Sequence, residues 1–142
     1  MAKPLISKIL TDAGKLKKRD ERIEHLRKYS HPALKDVLRI NFDNDVVSLL
    51  PEGNPPYTAD DAPAGHEYQT LYRAFKQFKY YFKGPVGLGL KSVRRESMFI
   101  NLLESLHAEE AEMLIKAKDK KLKITGITKK LITDTFPNLI KK

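Results

Sequence analysis

Seven cations, Arg73, Lys76, Lys79, Lys83, Lys91, Arg94 and Arg95, lie between Tyr68 and Arg95, and that stretch contains no Asp or Glu. Soluble chains normally mix the two signs, so a one-sign block points to an anionic partner or to a complementary acidic surface. The turn Gly84-Pro-Val-Gly-Leu-Gly-Leu-Lys-Ser92 sits inside the block. Its Gly84 to Gly89 gap matches a phosphate loop, but Leu90 intervenes before Lys91 and Ser92, and the preceding segment reads as a helix rather than a strand. The mononucleotide scaffold is therefore missing. What remains is a helix start where amides, with Ser92, Arg94 and Arg95, can hold one phosphate group, or where Ser92 simply caps.

Other chemistries have little to stand on. The chain has no cysteine, which excludes disulfides, thiolate catalysis and sulfur-ligated zinc. His25, His31, His66 and His107 are scattered, without a pair at metal-ligand spacing. Glu109, Glu110 and Glu112 cluster too closely to serve as separated, oppositely tuned carboxylates. The helix dipole explains them at the start of a helix. Asp43, Asp45 and Glu52 lack the glycine and ligand order of a calcium loop. No catalytic residue, metal or cofactor is expected, and the chain is read as non-enzymatic.

The net charge of +9 is distributed in blocks. Residues 1–29 hold nine cations against four acids, and 30–67 hold two against seven. Residues 68–95 hold seven against none, 96–115 none against five, and 116–142 nine against two. Either the basic blocks converge on a face that meets a polyanion, or blocks of opposite sign neutralise each other within or between copies. Exposed ion pairs contribute only about 0–1 kcal/mol each, so the second arrangement steers assembly rather than folding.

The elements that must carry these side chains read as helices. Leu5, Ile6, Ile9, Leu10 and Ala13 recur at helical spacing after Pro4, and Gly14 weakens or ends that helix. A basic surface helix follows from Lys15, with a thin stripe of Leu16, Ile23 and Leu26. A third is expected over Pro32 to Ile40, with Ser30 as its cap. Residues 51–67 contain four of the eight prolines, which excludes helix and predicts an ordered spacer or a partner-binding loop. From about Tyr68 to Lys83 a single helix is expected, burying Leu71, Phe75, Phe78 and Phe82 and presenting the cations on a neighbouring side. Burial of those four side chains is worth roughly 6–12 kcal/mol, so they belong to the core. Tyr80 and Tyr81 lie off the apolar centre, where one of them can stack on a base. Later helices are expected after the glycine turn, over Ala108 to about Lys118, and after a Thr128 cap with Ile127 and Ile132 as a hydrophobic staple. Phe136, Leu139 and Ile140 close the core or form a short docking tail. The expected fold is all-α, a small single-domain bundle of five to six helices: 1–50 helical, 51–67 a Pro/Gly-rich ordered loop, 68–142 helical.

Leu50-Pro-Glu-Gly-Asn-Pro-Pro-Tyr57, Arg94-Arg95-Glu-Ser-Met-Phe-Ile-Asn-Leu-Leu-Glu104 and Gly126-Ile-Thr-Lys-Lys-Leu131 with Phe136-Pro137 resemble an uncharacterised family of T-even-type tailed phages, many infecting marine bacteria. The resemblance spans nearly the whole chain. It implies a protein made in the cytoplasm of an infected bacterium, or carried in the virion, and transfers no functional residue.

The leading expectation is an accessory protein that contacts nucleic-acid backbone, or a nucleoprotein complex. The contacts are Arg73, Lys76, Lys79, Lys83, Lys91, Ser92, Arg94 and Arg95, joined by Lys120, Lys121 and Lys123. The alternative is a protein-interaction or virion component docking on an acidic surface of a host or phage protein. No apolar run is long enough to span a membrane, and oligomeric state has no signature here.

Overall fold

The computed structural model describes residues 5–57 and 70–139. In chain order these form α1 (Ile6–Lys15), α2 (Arg19–Lys28), α3 (Pro32–Phe42), α4 (Leu71–Ala74), a 3₁₀ helix η1 (Phe75–Tyr80), α5 (Pro85–Leu88), α6 (Ser92–Ser105), α7 (Ala108–Lys118) and α8 (Lys129–Thr135). Among the described residues there is no strand, only isolated bridges between Ser48 and Phe82 and between Ile124 and Ile127. The architecture is all-α, with eight α-helices among the described residues in place of the expected five to six. The excess comes from the segment read as one long helix and from the glycine turn, which break into the short turns α4, η1 and α5.

The centre of the molecule is α7, which packs on α1, α3 and α6. One hydrophobic cluster runs from Ile6 in α1 to Ile132 in α8, so both halves of the chain share a core. The first amides of α1 receive no cap from their own segment. Instead Glu110 of α7 accepts from Ile6 N and Ser7 N at 2.8 Å each, serving two of the donors that a helix start leaves open. Its carboxylate is buried, and burial raises its pKa above the ordinary value against the pull of the two amides. The dipole of α7 alone does not account for Glu110, which faces inward to serve another helix.

Helix α2 buries only Leu26 and is the surface helix expected. Its arginines attach it. Arg22 donates to Leu16 O at 2.8 Å and Gly126 O at 3.4 Å, Arg27 donates to Thr135 O at 3.2 Å, and Arg19 pairs with Asp134. Helix α3 starts with Pro32 as predicted, but the cap is His31, whose Nδ1 accepts from Ala33 N at 3.0 Å, and not Ser30. Thr128 caps α8 by accepting from Leu131 N, with Ile127 and Ile132 both buried beside it. Gly14 lies inside α1, one residue before its end at Lys15. A Cβ there would lie 1.9 Å from Thr125 O, so the glycine is what lets this backbone press on α1.

The start of the proline-rich segment is pinned. Lys118, buried, donates from Nζ to Pro51 O, Gly53 O and Asp119 Oδ1 at 2.7–3.0 Å, and Gly53 N donates to Asp119 Oδ2. The rest of the predicted spacer from residue 58, with Tyr68, lies outside the described residues, as do Pro4 and Ile140. Phe136 and Leu139 pack against the core, with Lys35 Nζ 5.4 Å from the Phe136 ring.

Candidate functional site

Three cations of the one-sign block are carried by α4 (Arg73) and η1 (Lys76, Lys79), and the winding of η1 decides how the latter two line up. A 3₁₀ helix has three residues per turn and a rise of about 2.0 Å, so side chains at i and i+3 eclipse. Within Phe75–Tyr80 the side chains therefore sort into rows of period three, which sets Lys76 and Lys79 in one row about 6 Å apart along the axis, both exposed. Arg73 on the preceding α-helical turn and Lys83 just beyond are exposed as well. Leu71, Ala74, Phe78 and Tyr81 of the same stretch are buried.

This geometry corrects the expected continuous helix. Leu71 and Phe78 are buried as expected, whereas Phe75 and Phe82 are half-buried. Phe75 meets the His31 ring edge-on at 5.6 Å. Tyr81 is fully buried, donates to Gln77 Oε1, and meets Phe99 edge-on at 5.2 Å. Burial, with Tyr80 nearby, pushes its hydroxyl up to about 12. It is core and cannot stack on a ligand. Tyr80 is half-buried, with Lys79 Nζ 5.5 Å from its ring centre.

Arg95 also leaves the candidate set. It is 6% exposed, and its guanidinium donates to Tyr80 O, Gly87 O and Leu90 O at 2.5–3.1 Å. The three carbonyls belong to the end of η1, to α5 and to the turn before α6, so Arg95 is the clamp that holds the basic row against the glycine turn. Gly87 fits under that clamp because a Cβ would come within 2.4 Å of Phe82 O. Ser92 is exposed at the first position of α6 and does not cap it. Lys91 and Arg94 are exposed beside it.

The three downstream lysines separate in the same way. Lys120, at φ 59°, donates from Nζ to Ile40 O and Asp43 O, closing the end of α3. Burial lowers its pKa, Asp43 opposes that, and Lys129 adds to it. Lys121 pairs with Glu52, and that hydrogen bond raises its pKa. Lys123 alone of the three is exposed without an ion pair among the described residues.

Arg73, Lys76, Lys79, Lys83, Lys91 and Arg94 likewise have no carboxylate within ion-pair distance among the described residues. A shallow cleft of about 290 Å³ runs beside Lys79 and Lys83, with Arg39, Asp36 and Asp45 on its other wall. Burial raises the pKa of Asp36, with Arg39 working against it. Arg39 was missed from the sequence because it stands in an acidic block, and only packing of α3 against η1 brings it to the row. Large apolar side chains are exposed close by: Val86, Leu88 at 62% and Val93 at 77%, with Val47, whose carbonyl accepts from Lys83 N at 2.8 Å. Among the described residues no three His, Asp or Glu converge as metal ligands, and no helix is long and apolar enough to cross a membrane.

Residues 9–124 match DUF6433, a family of unknown function. The chain belongs to that family. No curated protein and no solved structure matches it.

Proposed function

We propose that this chain is a non-enzymatic accessory protein that holds nucleic-acid backbone, or a nucleoprotein complex, along the row Arg73, Lys76, Lys79 and Lys83, with Lys91 and Arg94. The resemblance to phage proteins makes the setting an infected bacterium. The reading rests on one observation: a run of exposed cations that the protein's own described carboxylates leave unpaired. A polyanion suits such a run, and phosphate contacts of this kind position the partner without reading its bases.

The test is fluorescence anisotropy with a labelled duplex between about 50 and 200 mM salt. Six phosphates neutralised give a log–log slope of about −5, close to a 10³-fold loss across that range. Lys76→Glu with Lys79→Glu should weaken binding at low salt while leaving the unfolding midpoint in place. Affinity indifferent to salt, or a double variant that binds like the wild type, would overturn the proposal.

A second reading has its own support. Val86, Leu88 and Val93 are exposed and close in the chain to Lys83, Lys91 and Arg94, a mix of apolar and cationic groups that suits a protein-docking surface. Leu88→Ser with Val93→Ser separates the two readings, since it removes the apolar side chains without adding charge and should leave the salt slope on DNA unchanged.

A further inference from the structure

A second basic cluster exists only in the folded molecule. Lys15, Lys17 and Lys18 lie at the turn between α1 and α2, and Lys123, Lys129 and Lys130 flank the start of α8, more than 100 residues later. All six are exposed. None has an ion pair among the described residues; Asp134 is held by Arg19, and the exposed Asp20 and Glu21 stand in the first turn of α2.

The two segments are joined backbone to backbone. Gly126, at φ 85°, lies so close to α1 that a Cβ on it would be 2.6 Å from Gly14 O. Arg22 bridges them from behind, donating to Leu16 O on one side and Gly126 O on the other. The cluster is thus set on rigid backbone, with the arginine spent on structure and the lysines left to solvent. It stands at one end of α2. The row on η1 stands near the other end, where the His31 ring meets Tyr72 at 4.9 Å and Phe75 at 5.6 Å. Helix α2, of 10 residues and about 15 Å, runs between them.

We infer that Lys15, Lys17, Lys18, Lys123, Lys129 and Lys130 form a second phosphate-backbone contact surface, distinct from the row on η1. The composition favours nucleic acid over a protein partner. Lysine is depleted at protein interfaces, whose centres need apolar or aromatic anchors. The exposed large apolar side chains of the described residues, Val47, Val86, Leu88 and Val93, all lie elsewhere. Lysine ammoniums act as mobile point charges, sufficient for single contacts to phosphate oxygens. The inference rests on the chain being a nucleic-acid binder and adds a second place where it binds.

The experiment compares salt slopes on one duplex for four proteins: wild type, the row variant Lys76→Glu/Lys79→Glu, the cluster variant Lys17→Glu/Lys129→Glu, and all four changes together. Each double variant should lower the slope by about 2, at roughly 0.9 for each phosphate no longer neutralised, and the quadruple variant by about 4. All four substituted lysines are exposed, so circular dichroism should show unchanged unfolding; Lys17→Gln/Lys129→Gln repeats the test without reversing charge. A cluster variant with wild-type affinity and slope overturns the inference while leaving the row reading intact. A cluster variant that loses binding beside an unaffected row variant upholds this surface and removes the other. A wild type that fails to bind DNA removes both, and binding of polyglutamate as tight as DNA overturns the assignment to phosphate.

Discussion

Arg94 and Arg95 are neighbours in an all-basic block, yet substituting them should have opposite consequences. Arg95 makes three charge-assisted hydrogen bonds to carbonyls of η1, α5 and the turn before α6. Such bonds contribute about 1.5–3 kcal/mol each, and two of the three carbonyls sit on half-buried residues that water can reach after truncation. Arg95→Ala should therefore cost about 3–5 kcal/mol rather than the full sum, against a typical domain stability of about 5–15 kcal/mol. At roughly 2–4 °C per kcal/mol, the thermal midpoint should fall by about 6–20 °C. Arg94 is exposed, so Arg94→Ala should stay within about 0.5 kcal/mol of wild type. Its effect should appear on DNA, where leaving one phosphate unneutralised lowers the slope by about 0.9. Urea denaturation followed by circular dichroism, beside the anisotropy titration, reads both. Arg95→Ala unfolding within about 1 kcal/mol of wild type would show that the clamp is misread.

Two further predictions concern the scaffold. Glu110 has its pKa raised by burial above the ordinary value of 4.5, so the folded state keeps its proton where the unfolded state has released it. Its stabilising contribution is full below 4.5 and is lost as pH rises through the folded value. The urea midpoint of wild type relative to Glu110→Gln should therefore rise as the pH is lowered from neutral toward 4.5, and a gap that shrinks on acidification would refute the assignment. Gly14→Ala removes a helix-weakening glycine, worth about 1 kcal/mol, but places a methyl 1.9 Å from Thr125 O. Overpacking against backbone should win, giving a net loss of about 1–3 kcal/mol by denaturation, whereas a stabilised variant would mean that the α1 contact gives way easily.

The helical class, α3 with Pro32 in its first turn, α7 over Ala108–Lys118 and the Thr128 cap were all readable from the sequence. Each rests on local physics: a 3.6-residue apolar period, the missing amide hydrogen of proline, and a hydroxyl within reach of an open donor. The sign of the block from Tyr68 to Arg95 is equally a property of composition. Packing decided the rest. The segment winds as α over Leu71–Ala74 and as 3₁₀ over Phe75–Tyr80, and the 3₁₀ winding puts Lys76 and Lys79 in one row. Arg95 and Lys120 became anchors because carbonyls from elsewhere in the chain surround them, while Arg94 and Lys123, identical in charge, stayed in water. Charge is written residue by residue, but whether a charge is free depends on which backbone groups fold around it, and those come from parts of the chain that no local pattern connects.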